Sequence, residues 1–406
     1  MTLRIAIILG FTLLPLWTRA QSDFDVAQAF MARKGITIEE RPSTKGDADP
    51  YRLFHGVDGK GFVIVKDGVV VGYSTNKTAS SCPVRANTRS FEPTPKSPIE
   101  PLVKAQWGQA DPFNRLCPIL DNSVEKLPAL TGCGATAFAQ ILHYYKNEGC
   151  DSLKERRLLE IIPGIDKSRI LAPVLEALPP TTFNWDLMPP KYDDFTEEQA
   201  YEVAKLMKYV GYAVKTCYWK NGEAGTALDP KDFSPLGFSE ESYSTSDVRL
   251  RDEEIEALLD KELEQGRPVL LAGYSADLSA GHWFVVDGRD DTGRYHLNTG
   301  HCGEGDGYYI ISQELYEKAF VEFLETGRPF WMIIQEQGLT SYNSNPYCVV
   351  PIMPSDWVIP QTTAIKSPRV IQTDAVYNLQ GRMLGRSLDS LPKGIYIQNG
   401  QKQVVK

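Results

Sequence analysis

Apolar and polar positions alternate along Tyr51–Leu53, Gly61–Val65 and Val69–Tyr73, and the β-branched residues there predict three strands. Asp67-Gly68, between the last two, is a hairpin-turn pair. A helical repeat precedes them over Asp23–Lys34. Farther along, Phe138, Ile141, Leu142 and Tyr145 recur at steps of three and four, so the spacing predicts a helix over Ala135–Lys146 with one apolar stripe. Glu197–Val210 and Asp252–Glu264 follow the same period, and Pro173–Leu178 reads as a short helix with proline in its first turn. Strand patterns then dominate: Pro268–Gly273, His282–Asp287, Arg294–Asn298 and Gly307–Ile311. Helices followed by strands in separate runs predict an α+β fold rather than a doubly wound sheet. Near the end, Val376–Arg382 and Leu391–Ile397 predict a small β-module before the Val404-Val405-Lys406 tail.

Punctuation divides the pattern. A polar stretch from Ser80 to Pro101, with Pro83, Pro93, Pro95 and Pro98, reads as an exposed linker and a first domain boundary. At the N-terminus, Arg4, the apolar run Ile5–Trp17 and Thr18-Arg19-Ala20 read as a secretory signal cleaved before Gln21. That run is short for a membrane span, so the expectation is an exported, soluble protein. A chain of 406 residues, 42% hydrophobic, is long enough for more than one domain. Its net charge of -9 and the lack of a long basic run argue against nucleic acid as a partner. The seven cysteines (Cys82, Cys117, Cys133, Cys150, Cys217, Cys302, Cys348) are odd in number, which leaves at least one thiol unpaired, and their spacings assign no disulfide. With no CxxC and no HExxH, neither a metal nor a cofactor is expected.

The chemistry starts at Cys133. The turn Thr131-Gly132-Cys133-Gly134 delivers it to the start of the predicted helix, where unsatisfied N–H groups and the positive end of the macrodipole favour thiolate. A small buried cysteine capping a core helix is the structural alternative. A nucleophile needs a base. Of the five histidines, His55 precedes the linker, and His143 lies about three turns along the helix, out of reach of the sulfur. His296 and His301 flank a loop. His282 follows Gly281 at the start of an apolar strand, where side chains reach into clefts. Hairpin arithmetic about Asp290-Asp291-Thr292-Gly293 places Asn298 across from His282, where its amide would fix the imidazole tautomer. Gln109, in a turn-rich segment upstream, would join the Cys133 N–H in holding an oxyanion.

Gln, Cys, His and Asn in that chain order resemble the papain-type cysteine peptidases, and more closely the streptopain family. The segments that carry the resemblance are Gln106–Asn114, Thr131–Ile141, Phe183–Trp185, Val210–Val214, Asp260–Leu263 and Gly281–Gly288. The resemblance implies a papain-like α+β fold and a secreted endopeptidase made as a zymogen. Cys133 would be the nucleophile, His282 the general base, Gln109 part of the oxyanion hole and Asn298 the orienter. It further implies that Gly61–Val65 and Val71–Ser74 belong to an inhibitory propeptide. The C-terminal module is similar to sorting signals of the type IX secretion route, which makes secretion machinery a partner beside protein substrate and propeptide. The resulting division is a signal peptide over 1–20, propeptide and linker over 21–98, a catalytic domain over 99–355 and a sorting segment over 356–406. Gly281 and Glu223, the latter in the loop Gly222–Gly225, are the substrate-binding candidates. Two departures stand out. The family's tryptophan-rich stretch after the orienting Asn is here Thr299-Gly300-His301-Cys302-Gly303, which implies a looser His–Asn pair. Gly134 replaces a larger residue and implies added backbone freedom. The first departure motivates an alternative, an inactive homologue that binds peptides or a protease. An acyltransferase or amidase on the same fold is a third reading.

Overall fold

The computed structural model describes residues 22–39, 51–80, 95–119, 127–146, 149–157, 174–219, 222–226, 228–238, 241–245, 252–274, 281–311, 344–355 and four strands between 376 and 405. The signal-peptide reading, the linker segment 81–94 and Cys82 lie outside the described residues. The chain divides into two compact units, the first of Met1–Leu263 and Arg267–Ser355, the second of Glu264–Gly266 and Asp356–Lys406.

The first unit is organised by one ten-stranded sheet. In chain order its strands are β1 (Ile38–Glu39), β2 (Arg52–Gly56), β3 (Phe62–Lys66), β4 (Val69–Ser74), β5 (Tyr243–Ser244), β6 (Val269–Tyr274), β7 (Gly281–Arg289), β8 (Tyr295–Asn298), β9 (Gly307–Tyr309) and β10 (Ser344–Val350). Their spatial order is β1-β2-β3-β4-β9-β8-β7-β6-β10-β5, and neighbours run antiparallel. The four N-terminal strands are therefore not a separate layer. They continue the larger sheet through β4 and β9, with Tyr73 opposite Tyr308 and Gly72 opposite Tyr309.

Local chemistry explains the elements. Asp67 and Gly68 both have positive φ (52° and 76°), the conformation a tight two-residue hairpin turn requires. Helix α1 (Asp23–Ala32) starts in a Ser22–Asp25 capping box and packs Ala27 and Met31 on β-strand residues Phe54, Val63 and Val65. Helix α3 (Glu197–Ala213) has a second box, Thr196 with Gln199, a device that contributes about 1 kcal/mol.

Both faces of the central strands are covered, which is why Trp283–Val286 is an unbroken apolar run. Leu270, Ala272, Trp283 and Val285 face helix α2 (Cys133–Tyr145) and α3, while Val269, Leu271, Phe284 and Val286 share the opposite core with Ile255, Leu259 and Leu263 of α4 (Asp252–Glu264). Pro173–Leu178 corrects the sequence reading: Val174–Leu175 is a strand paired with Arg156–Arg157, and Leu178 bridges Leu153. Pairing with a partner segment has overridden the local helix signal.

The second unit contains an antiparallel sheet of β11 (Val376–Tyr377), β12 (Met383–Gly385), β13 (Gly394–Gln398) and β14 (Gln401–Val405), in the order β12-β11-β13-β14. Among the described residues, no helix is long and apolar enough to cross a membrane.

Candidate active site

Cys133 opens α2, and its neighbours show why. Gly132 is the N-cap with φ 88°, a conformation that favours glycine, and it supplies no side-chain cap. The first-turn amides are thus left for the sulfur and for an incoming oxygen. At Gly134 a Cβ would stand 2.9 Å from Thr226 Cβ and 3.2 Å from Trp283 Cδ1. Close approach of helix and neighbours, not a need for backbone freedom, accounts for that glycine.

The backbone N–H groups of Trp283, Gly134 and Cys133 itself act on the half-buried Cys133 sulfur in the direction that favours thiolate. Its sulfur therefore meets β7 one residue from His282. Burial raises the thiol pKa, and the amides at the helix start only partly offset that. The expected thiolate is corrected for this form of the chain: desolvation outweighs the helix terminus.

His282 is 7% exposed, and its Nε2 lies 2.9 Å from the Thr299 carbonyl oxygen. A carbonyl only accepts, so Nε2 carries the proton and Nδ1 is the unprotonated nitrogen of a neutral ring. Phe284 packs edge-on against the imidazole at 4.6 Å between centroids, and His301 lies flat on it at 5.0 Å with 12° between planes. Burial first, then the neighbouring His301, depress the His282 pKa to about 4, while the Thr299 carbonyl opposes them.

Asn298 is near but not opposite. It registers with Val285, and a bulge lies between Val286 and Gly288. That register differs from the expected one by an odd number of residues, which turns Asn298 to the α2 face and away from the Phe284 face. Its carboxamide pairs reciprocally with Gln140 at 3.0 and 3.1 Å, donates to Ala105 O at 2.7 Å and accepts from Gly300 N at 3.0 Å. The group beneath the imidazole is the main chain of the next residue.

Gln140 escaped the sequence reading. It is fully buried on α2 two turns beyond Cys133, accepts from Trp107 N at 3.0 Å and so ties the Gln109 segment to Asn298. A lone glutamine on an otherwise apolar helix face was the signal available. Gln109 is half-buried, and its carbonyl accepts from Thr131 N at 3.1 Å, which sets it beside the Cys133 turn. Glu223 is exposed in the hairpin of Cys217–Tyr218 and Ala224–Gly225, and Gly222 O accepts from Leu130 N at 2.9 Å. Gly281 is exposed at the start of β7. Among the described residues no disulfide is present, and no cluster of ligands could hold a metal ion.

The segment after β4 also meets the turn that follows β8. Thr78 O accepts from Gly305 N at 2.7 Å, and Lys77 Nζ donates to the Gln106 side chain.

A cysteine at a helix start meets the strand that carries a buried histidine, and comparison with known families decides what the arrangement belongs to. The model of the Peptidase C10 family matches residues 107–309, a span that holds Gln109, Cys133, His282 and Asn298. The chain belongs to the Peptidase C10 family. Streptopain of Streptococcus pyogenes is 29% identical over 230 residues, 52% of this chain and 56% of that protein. The thiol protease/hemagglutinin PrtT of Porphyromonas gingivalis is 28% identical over 213 residues, 51% of this chain and 23% of that one. The chain thus spans about half the length of the streptopains it matches. A prointerpain A fragment of Prevotella intermedia shares the fold, with a TM-score of 0.54 at 21% identity over 78% of this chain and 98% of the fragment. This C10 member has the α+β fold expected from its sequence.

Proposed function

We propose that the chain is a secreted cysteine endopeptidase made as a zymogen, and that the described form is the latent one. What supports the reading above all is the Cys133 sulfur on the Trp283 amide, beside His282, in a C10 family member. His282 takes the thiol proton as sulfur attacks the scissile carbonyl carbon. The carbonyl electron pair moves to oxygen, which the Cys133 N–H and the Gln109 amide hold. When the tetrahedral species collapses, the C–N bond breaks and His282 gives its proton to the leaving amine. Water, deprotonated by the same imidazole, then attacks the thioester, and the acid product leaves as the thiol is restored. Gly281 and Glu223, at the rim of the site, contact substrate in this reading.

Latency has a chemical expression here. Burial keeps the thiol protonated and the imidazole neutral, so the reactive ion pair is not formed. In this reading residues 21–98 are propeptide and linker, residues 99–355 the catalytic part and residues 356–406 a sorting segment for the secretion machinery. The processing cut falls upstream of Lys96. That ammonium is held by Asp260 at 2.9 Å, Glu256 at 3.2 Å and Tyr295 at 3.1 Å, which binds it to the catalytic part.

Cys133→Ala tests the assignment. The variant should unfold at the temperature of the parent, release no peptides from unfolded protein substrate and take up no epoxide that alkylates papain-like thiolates. Proteolysis at the parental rate would refute the nucleophile. A parent that is processed yet neither labelled nor active would favour a peptide-binding homologue.

A further inference from the structure

The tight turn after β8 presents two groups to the His282 ring. One is the Thr299 carbonyl, which fixes its tautomer; the other is the flat face of His301, parallel to it at 5.0 Å. The turn is held to shape. Asp306 Oδ1 accepts from Thr299 N at 2.8 Å and from Thr299 Oγ1 at 3.0 Å, and Thr299 Oγ1 donates to Glu304 O at 2.6 Å. Four of its residues, Gly300, Cys302, Gly303 and Gly305, have positive φ between 53° and 86°. Cys302 N donates to Trp107 O at 3.1 Å, and Asn298 holds the Gly300 N–H at 3.0 Å. His301 itself is exposed. An exposed imidazole, laid flat on a buried one by a braced turn, does something a hydrocarbon ring would not: it titrates.

We propose that His301 is a positioning residue for His282, holding the imidazole in plane while neutral and disfavouring the imidazolium once it takes up a proton itself. The inference rests on the reading of His282 as the catalytic base. The chemistry is direct. The active pair requires a positive charge on His282, and a second positive charge 5.0 Å away opposes it. Among the described residues, Glu304, Asp306 and Cys302 lie on the same turn as His301, Lys77 reaches Asp306 from the segment after β4, and the Cys133 thiol on α2 is at the Trp283 amide, next in sequence to His282. Burial, the largest influence, lowers the His301 pKa from its ordinary value, while Glu304 and Asp306 oppose that and give the second charge a local counterion once the solution is acid enough for it to form. The electrostatics agree, since His301 is the largest named influence on His282 after burial.

The two roles separate by substitution. In the full chain carrying Cys133→Ala, which cannot process itself, His282 is titrated by NMR with labelled histidine. His301→Phe keeps a flat ring without charge, and the His282 titration should move up by about one pH unit. His301→Arg keeps the charge at all pH values, and the titration should move below that of the parent. Two variants that both titrate with the parent would overturn the proposal. His301 is exposed, so both should fold; should either fail, His301→Gln replaces it with the same upward shift expected. These readings need no peptidase activity and stand apart from the functional assignment. In the processed enzyme His301→Phe should extend kcat/KM to lower pH, by about tenfold at the acid end, with KM unchanged. An unchanged pH profile there would also count against the proposal.

Discussion

His282 and His296 sit on neighbouring strands of one sheet, both largely removed from water, and their proton affinities are driven apart. His282, on β7, has a backbone carbonyl beneath it and another imidazole on its face; burial and His301 bring its pKa to about 4. His296, on β8, has Nδ1 2.6 Å from the fully buried carboxylate of Asp287. Burial opposes its charge as well, but the charge of Asp287 and its hydrogen bond outweigh burial and raise the pKa. The lesson concerns what stands under the ring. A neutral acceptor fixes a tautomer and leaves the other nitrogen to act as a base; a buried carboxylate favours the charged ring and holds its proton more tightly. His296 is a fastener, since the other oxygen of Asp287 accepts from Val103 N at 2.8 Å and pins the chain entering the catalytic part.

The contrast breaks most completely at Asp287. Asp287→Asn keeps the shape but leaves His296 without its counterion, and should cost about 4 kcal/mol in urea unfolding at neutral pH. Next in size is the pH dependence of His282. Its proton binds near 6.5 in the unfolded chain and at about 4 in the folded one, so the unfolded chain holds more protons between those values. Its contribution is complete above pH 6.5 and is lost as pH falls to about 4, a difference of about 3 kcal/mol that His282→Gln should abolish when unfolding is compared across that window. His296 has the opposite sign, its stabilisation being present at low pH and lost as pH rises through its raised value. The smallest effect sharpens the comparison. Asp306 raises the pKa of both His296 and His301 without being among the causes that act on His282. Asp306→Asn should lower the first two NMR titrations, and the third should move slightly up, only through the weaker charge on His301.

Much of this fold was legible in the residues. The stripe Phe138–Ile141–Leu142–Tyr145 marks α2, and Asp67-Gly68 marks its hairpin, because period and turn chemistry are local properties. Ser344–Val350 was missed, since its strand character comes from pairing with distant β6 and β5. Cys133 and His282 are legible from where they sit on their elements. The partner of His282 was not, because Arg289 pairs with Tyr295, which centres the hairpin farther along the chain than a His282–Asn298 pairing requires, and a bulge then shifts the register by one residue, with no local signal for either. The pairing of Gln140 with Asn298 and the stack of His301 on His282 are contacts between segments, invisible until the chain is closed.

The shared sheet has one more consequence. A cut between Ser80 and Lys96 would release β1–β4 and turn β9 from an interior strand into a rim. Exposed rims invite other chains to pair, and proteins limit the hazard by keeping them short. Gly307–Tyr309 is three residues long, so the ripened molecule would carry a stub too brief to template a foreign strand.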